Sequence, residues 1–194
     1  MKIDNLIQNI RKLEGELDQV IDEHRQQFKY VVKNKRVEFE KAIRQRHLEL
    51  RTGLSRYLYE SGILALVFAP VVYSLFIPLV LLDIFTSVYQ FLCFPVYGIR
   101  KVKRSDHIAL DRHHLAYLNA LEKLNCVYCG YANGLLSYVR EIAGRSEAHW
   151  CPIKHARRVK GPHPHYWSFS DYGDAESYAQ TGDKTKTTAR NGKS

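Results

Sequence analysis

Residues 62–99 read GILALVFAPVVYSLFIPLVLLDIFTSVYQFLCFPVYGI, and the only charge in the run is Asp83. A 194-residue chain has room for one ordinary core, and an apolar block this long is more than such a core hides. A helix needs about 20 apolar residues to cross the roughly 30 Å hydrocarbon layer of a bilayer. Residues 58–77 supply one such length, and residues 79–95 a slightly shorter one, with Pro78 between them. Proline lacks an amide donor and disfavours helix in the residue before it. The pattern therefore predicts an apolar membrane hairpin over residues 58–99 that reverses near Pro78, with Asp83 close to the break where a carboxylate stays wet.

Charge on either side of the block bears on its orientation. Arg44, Arg46, Arg51 and Arg56 precede it, and Arg100, Lys101, Lys103 and Arg104 follow it. Basic residues gather on the cytoplasmic side of a bilayer, so clusters at both ends predict two cytoplasmic termini. The hairpin then either spans the bilayer or dips into one leaflet. Two alternatives remain: a single span over about residues 62–82 followed by an interfacial helix, and a buried helical hairpin inside a soluble assembly. The net charge of +9 fits anionic headgroups met by Arg100, Lys101, Lys103 and Arg104. Nucleic acid is not an expected partner, since it would rest on net charge and the run HARRVKGPHPHYW alone.

Residues 1–57 carry Ile3, Leu6, Ile10, Leu13, Leu17 and Val20 at spacings of three and four, then less regular Phe28, Val31 and Val32. This is the stripe of an amphipathic, coiled-coil-like helix. It predicts a protein partner or a homo-oligomer through residues 1–32, or packing on the chain's own C-terminal domain. The opening MKIDNLIQNI lacks the apolar run of a secretory signal, so none is expected.

Residues 100–160 predict a helical domain. Ser105 or Asp106 caps a helix over 107–124, and a second helix over 132–143 starts near Gly130 or Gly134 and ends at Gly144. Residues 161–194 form a tail expected to be partly disordered, most clearly in the polar end TGDKTKTTARNGKS.

The chemistry-bearing residues lie in this domain. Cys126 and Cys129 form C-x-x-C, and Cys151 and His155 are four apart, a spacing that shares one face of a helix. Three thiolates and an imidazole make the tetrahedral set of structural zinc, and sulfur-rich sites also take iron. The competing readings are a redox-active thiol pair, which lacks a surrounding βαβ pattern, and unliganded structural cysteines. His107, Asp111 and His114 would share one face of a continuous helix and make a second metal site, with a solvated polar face as the plainer reading. Glu122, four before Cys126, can hydrogen-bond a ligand. Cys93 falls in the apolar stretch and packs as a small hydrophobe.

CVYCGY resembles the first rubredoxin knuckle, C-x-x-C-G-Y, and WCP resembles the start of the second. Where that pattern has its last cysteine this chain has Lys154, so the resemblance implies a knuckle-style metal site without an Fe(Cys)4 electron carrier. Over a longer stretch, DRHHLAYLN, NCVYCGYANG and WCPIKHARR resemble an uncharacterised family of bacterial membrane proteins, which implies a bacterial inner membrane as the location and no activity. Phosphate loops, dinucleotide fingerprints and the G-x-S-x-G and H-E-x-x-H motifs are absent from the sequence.

The sequence thus predicts an all-α protein: an amphipathic N-terminal helix, an apolar membrane hairpin and a cytoplasmic helical domain with a Cys/His site. The expected function is a membrane-anchored, non-catalytic interaction module stabilised by zinc or iron. The alternatives are a membrane metalloenzyme or electron-transfer protein using iron at the same ligands, and a C-x-x-C thiol redox protein.

Overall fold

A computed structural model describes residues 2–27, 30–33, 36–39 and 41–180. The tail segment 181–194 and Phe28, about which the sequence made expectations, lie outside the described residues. The architecture is all-α apart from one short hairpin, with the helices α1 (Lys2–Gln27), α2 (Lys41–Glu49), α3 (Leu54–Ser74), α4 (Phe76–Tyr97) and α5 (Ala120–Trp150). The expected helix over residues 1–57 is broken after Gln27 by the strands β1 (Tyr30–Lys33) and β2 (Arg36–Phe39). They pair antiparallel with Tyr30 opposite Phe39 and Val32 opposite Val37. Val31 and Val32 lose the helical spacing of α1, and a β-branched, aromatic-flanked run fits a strand.

The chain divides into two compact units, one made of Met1–Glu60 with Asp111–Cys126, the other of Ser61–Leu110 with Val127–Ser194. In the first, the α1 stripe of Leu6, Ile10, Leu13, Leu17 and Val20 is exposed. Asn119 opens α5 with a capping box: its side-chain oxygen accepts from the amides of Leu121 and Glu122, and Glu122 accepts from the Asn119 amide at 2.8 Å.

The second unit holds the apolar block, and the reversal expected at Pro78 is not formed. Leu75, between α3 and α4, keeps right-handed helical angles (φ −63°, ψ −16°), and the Leu79 amide donates to the Leu75 carbonyl. Pro78 falls in the first turn of α4, where a missing amide donor costs nothing. The true interruption is Gly62, whose φ of 76° and ψ of 154° are accessible to glycine and strained for other residues. From residue 63 to Tyr97 the chain therefore runs on as a kinked rod. Gly98 ends α4 in the left-handed conformation, with the Ile99 amide reaching back to the Phe94 carbonyl at 2.8 Å.

α5 lies parallel to α4. Tyr131 bonds Asp83, Tyr138 bonds Gln90, and Trp150 packs edge-on against Tyr97 at 4.8 Å, so contacts advance together along both helices. Parallel neighbours require a long return connection. Of the expected helix over 107–124 only residues 120–124 are helical, as the start of α5; the residues before them form an extended strap broken by the 3-10 turns Arg104–Asp106 and Arg112–His114. Phe94, Leu135, Tyr138 and Ile142 form the core between the helices, with Val102 of the strap. Beyond α5, the segment expected to lose structure carries a 3-10 turn, Pro164–Ser168, and buries Tyr166 and Phe169.

Candidate functional site

The expected Cys3His shell is not assembled. Cys126 and Cys129 are the seventh and tenth residues of α5, so they sit on an uninterrupted helix and form no knuckle. Cys151 follows the end of that helix, 22 residues beyond Cys129 (151 − 129). At about 1.5 Å per residue that is roughly 33 Å, an order of magnitude longer than a metal–sulfur bond. His155 lies past the helix end, so the i,i+4 face it was to share with Cys151 does not exist. All four cysteines are free thiols. The helix start expected near Gly130 or Gly134 and the helix end expected at Gly144 do not occur, because α5 continues through all three glycines.

The second proposed constellation fails for the same kind of reason. His107 follows one 3-10 turn and His114 closes another, with Asp111 just before it, so no continuous helix aligns them. His107 bonds Ser137 at 3.0 Å. Glu122, assigned to a metal's surroundings, belongs to the α5 capping box; the local pattern Asn-x-x-Glu carried that signal. Among the described residues, no three His, Cys, Asp or Glu side chains are grouped to hold a metal ion.

What the second unit does assemble is a rod with two unlike faces. The inner face of α4 is polar at three places, each satisfied by the strap or α5. Asp83 accepts from the Arg104 guanidinium at 2.6 Å, the Tyr131 hydroxyl at 2.9 Å and Ser87 at 3.3 Å. Arg104, expected at lipid headgroups, is thus committed to the one acid of the apolar block. Gln90, buried, accepts from the Val102 amide at 2.6 Å and donates to the Tyr138 hydroxyl at 2.9 Å. Tyr89 meets Ser146 at 3.0 Å.

Two glycines of α5 allow the covering segments to approach. A Cβ on Gly134 would lie 2.8 Å from both the His107 carbonyl oxygen and the Ile108 Cα of the strap. One on Gly144 would lie 2.7 Å from the His163 ring. His163 bonds Glu147 at 2.8 Å, His165 bonds Glu141 at 3.0 Å, and Arg140 donates to the carbonyls of Gly161 and Pro162. Burial alone pushes the Glu141 carboxyl up, but the hydrogen bonds from His165 and Arg145 outweigh it and hold the group below its ordinary value. This latch was not read from the sequence, because nothing local pairs a histidine with an acid 16 or 24 residues away.

The outer face is apolar and uncovered. Leu54–Tyr97 is long and apolar enough to cross a membrane, and its most apolar stretch has no buried residue. Ile63, Leu64, Val67, Phe68, Val71 and Ile77 of the rod are all exposed. No protein-family model, curated protein or solved structure matches the chain.

Proposed function

We propose that this chain is a membrane-attached, non-catalytic assembly module: the apolar rod holds it to a bilayer, and the exposed stripe of α1 joins it to another helix. The observation that carries the reading is the apolar surface of residues 63–96, left uncovered while the one acid of the block is turned inward onto Arg104. A soluble monomer rarely leaves a contiguous apolar patch of more than a few hundred Å² exposed. In a bilayer each large side chain gains about 1.5–3 kcal/mol on burial. The exposed α1 stripe at coiled-coil spacing favours association with a second copy or a helical partner. Two cytoplasmic termini belong to this reading on the strength of the basic flanks, and a bacterial inner membrane on the strength of the family resemblance alone. Zinc or iron at the four Cys/His positions does not, because α5 holds its halves apart.

Alkaline carbonate extraction tests the attachment. The wild-type chain is expected in the membrane pellet, and a Leu64→Glu, Val67→Glu, Val71→Glu variant in the supernatant. These side chains are 74%, 62% and 63% exposed, so the variant leaves the core intact. Release of the wild type would refute the membrane reading.

A further inference from the structure

The way the rod meets the bilayer can be argued further, on the premise that the membrane reading above holds. We propose that α4 lies in the plane of one leaflet, its outer face in the acyl region and its inner face toward water, so that the chain is a monotopic protein bound to anionic phospholipid.

Four observations carry this. Ile84, Phe85, Val88, Phe91, Leu92 and Val96 recur at spacings of one, three and four, and all are exposed, so they form a single stripe. The opposite side of α4 is occupied along its length by the strap and by α5, which carries the charged side chains Arg140, Glu141, Arg145 and Glu147. A transmembrane placement of α4 would draw those charges into hydrocarbon, at several kcal/mol for each. An in-plane helix needs lipid on one face only, which is the face available.

Length points the same way. The rod from residue 63 to 97 covers 35 residues, about 52 Å at 1.5 Å each, against a hydrocarbon thickness of roughly 30 Å. Without a reversal, a spanning rod would also send the two flanking basic clusters to opposite sides of the membrane. An in-plane rod leaves both on the cytoplasmic side, as the distribution of Lys and Arg demands.

Charge identifies the lipid. Lys101 places its ammonium 4.5 Å from the centre of the Phe91 ring, so a cation stands at the border of the apolar stripe. That is where a phosphate lies when Phe91 reaches the acyl chains. Arg100 and Lys103 are exposed beside it. Arg104 is bound to Asp83 and is not part of this cationic edge.

Depth-dependent quenching tests the geometry. Phe85→Trp and Phe91→Trp are made separately in the full chain, at positions 71% and 68% exposed, where the larger ring leaves the core untouched and at position 91 still offers Lys101 an aromatic face. Each is bound to phosphatidylglycerol/phosphatidylcholine vesicles carrying bromine at a shallow or a deep acyl position, and the signal of Trp150 and Trp167 is subtracted using wild type. Both new tryptophans are expected at the same shallow depth. A depth difference approaching 9 Å, six residues of helix rise, would establish a span and overturn the proposal. Two unquenched tryptophans on vesicle-bound protein would overturn it while leaving the membrane attachment standing. Protein that fails to float with either vesicle would instead refute the attachment itself. Lys101→Gln with Lys103→Gln should lower binding to phosphatidylglycerol vesicles severalfold and leave binding to pure phosphatidylcholine unchanged; equal loss on both would remove the anionic-lipid assignment.

Discussion

Replacing Gln90 by leucine separates two accounts of α4. By hydropathy alone the change improves the helix, since it removes a polar side chain from an apolar run. In this fold it should do the reverse. The Gln90 side chain accepts from the Val102 amide at 2.6 Å, donates to the Val102 carbonyl at 3.3 Å and donates to the Tyr138 hydroxyl at 2.9 Å. Val102 is 6% exposed and Tyr138 2%, so water cannot replace what is lost. A buried polar group stripped of its partner costs about 1–3 kcal/mol, and Leu fills the volume of Gln without restoring any bond. Among the described residues Gln90 is the partner of the Val102 amide, whereas the Val102 carbonyl loses only a long bond. A net loss of about 2–4 kcal/mol follows, some 5–15 °C in melting temperature for a chain of this size. The assay is thermal unfolding by circular dichroism in detergent, with limited proteolysis of the strap over residues 100–110 as a local readout. Tyr138→Phe should cost less, because it leaves both Val102 groups bonded, and the double variant should fall short of the sum. A Gln90→Leu protein as stable as wild type, with a strap no easier to cleave, would refute the packing of the strap on α4.

Gly134→Ala should destabilise the chain relative to Gly130→Ala by about 1–3 kcal/mol, read by the same melting experiment. At Gly134 the new methyl meets strap backbone at 2.8 Å, which cannot yield as a flexible side-chain tip does, whereas at Gly130 the nearest atom is 3.3 Å away. Both gain about 1 kcal/mol of helix propensity, so their order rather than either value is diagnostic. The Glu141 latch should add an acid limb to the stability curve. Its folded carboxyl titrates below the ordinary value of 4.5, so its contribution is complete above that pH and is lost as pH falls through the folded value. Chemical denaturation from pH 6 down to pH 3 should show the loss, and Glu141→Gln should flatten that limb while lowering stability at pH 6.

Some of this protein could be read before folding because the signals are local. Helix dominates because periods of three and four run through α1 and the apolar block, and the uncovered surface of residues 63–96 follows from a block too long for the core available. The capping box at Asn119 and Glu122 was equally local and legible, though the metal reading drew Glu122 elsewhere. Other residues carry signals that mean opposite things in different surroundings. Pro78 marks a break in a helix interior and is harmless in the first turn, while Gly62 supplies the actual break through a positive φ. Gly130, Gly134 and Gly144 resemble helix ends, yet α5 runs through all three and uses the missing Cβ at Gly134 and Gly144 to let the strap and His163 come close. Once α5 is continuous, the spacing of Cys129 from Cys151 stops being a loop that can close on an ion and becomes a rigid length of roughly 33 Å. Composition by itself determined that this chain must place a long apolar rod somewhere other than its core. Only tertiary structure decided which acid, amide and histidine meet, since Asp83 finds Arg104, and His165 finds Glu141, across separations of 21 and 24 residues that no local pattern encodes.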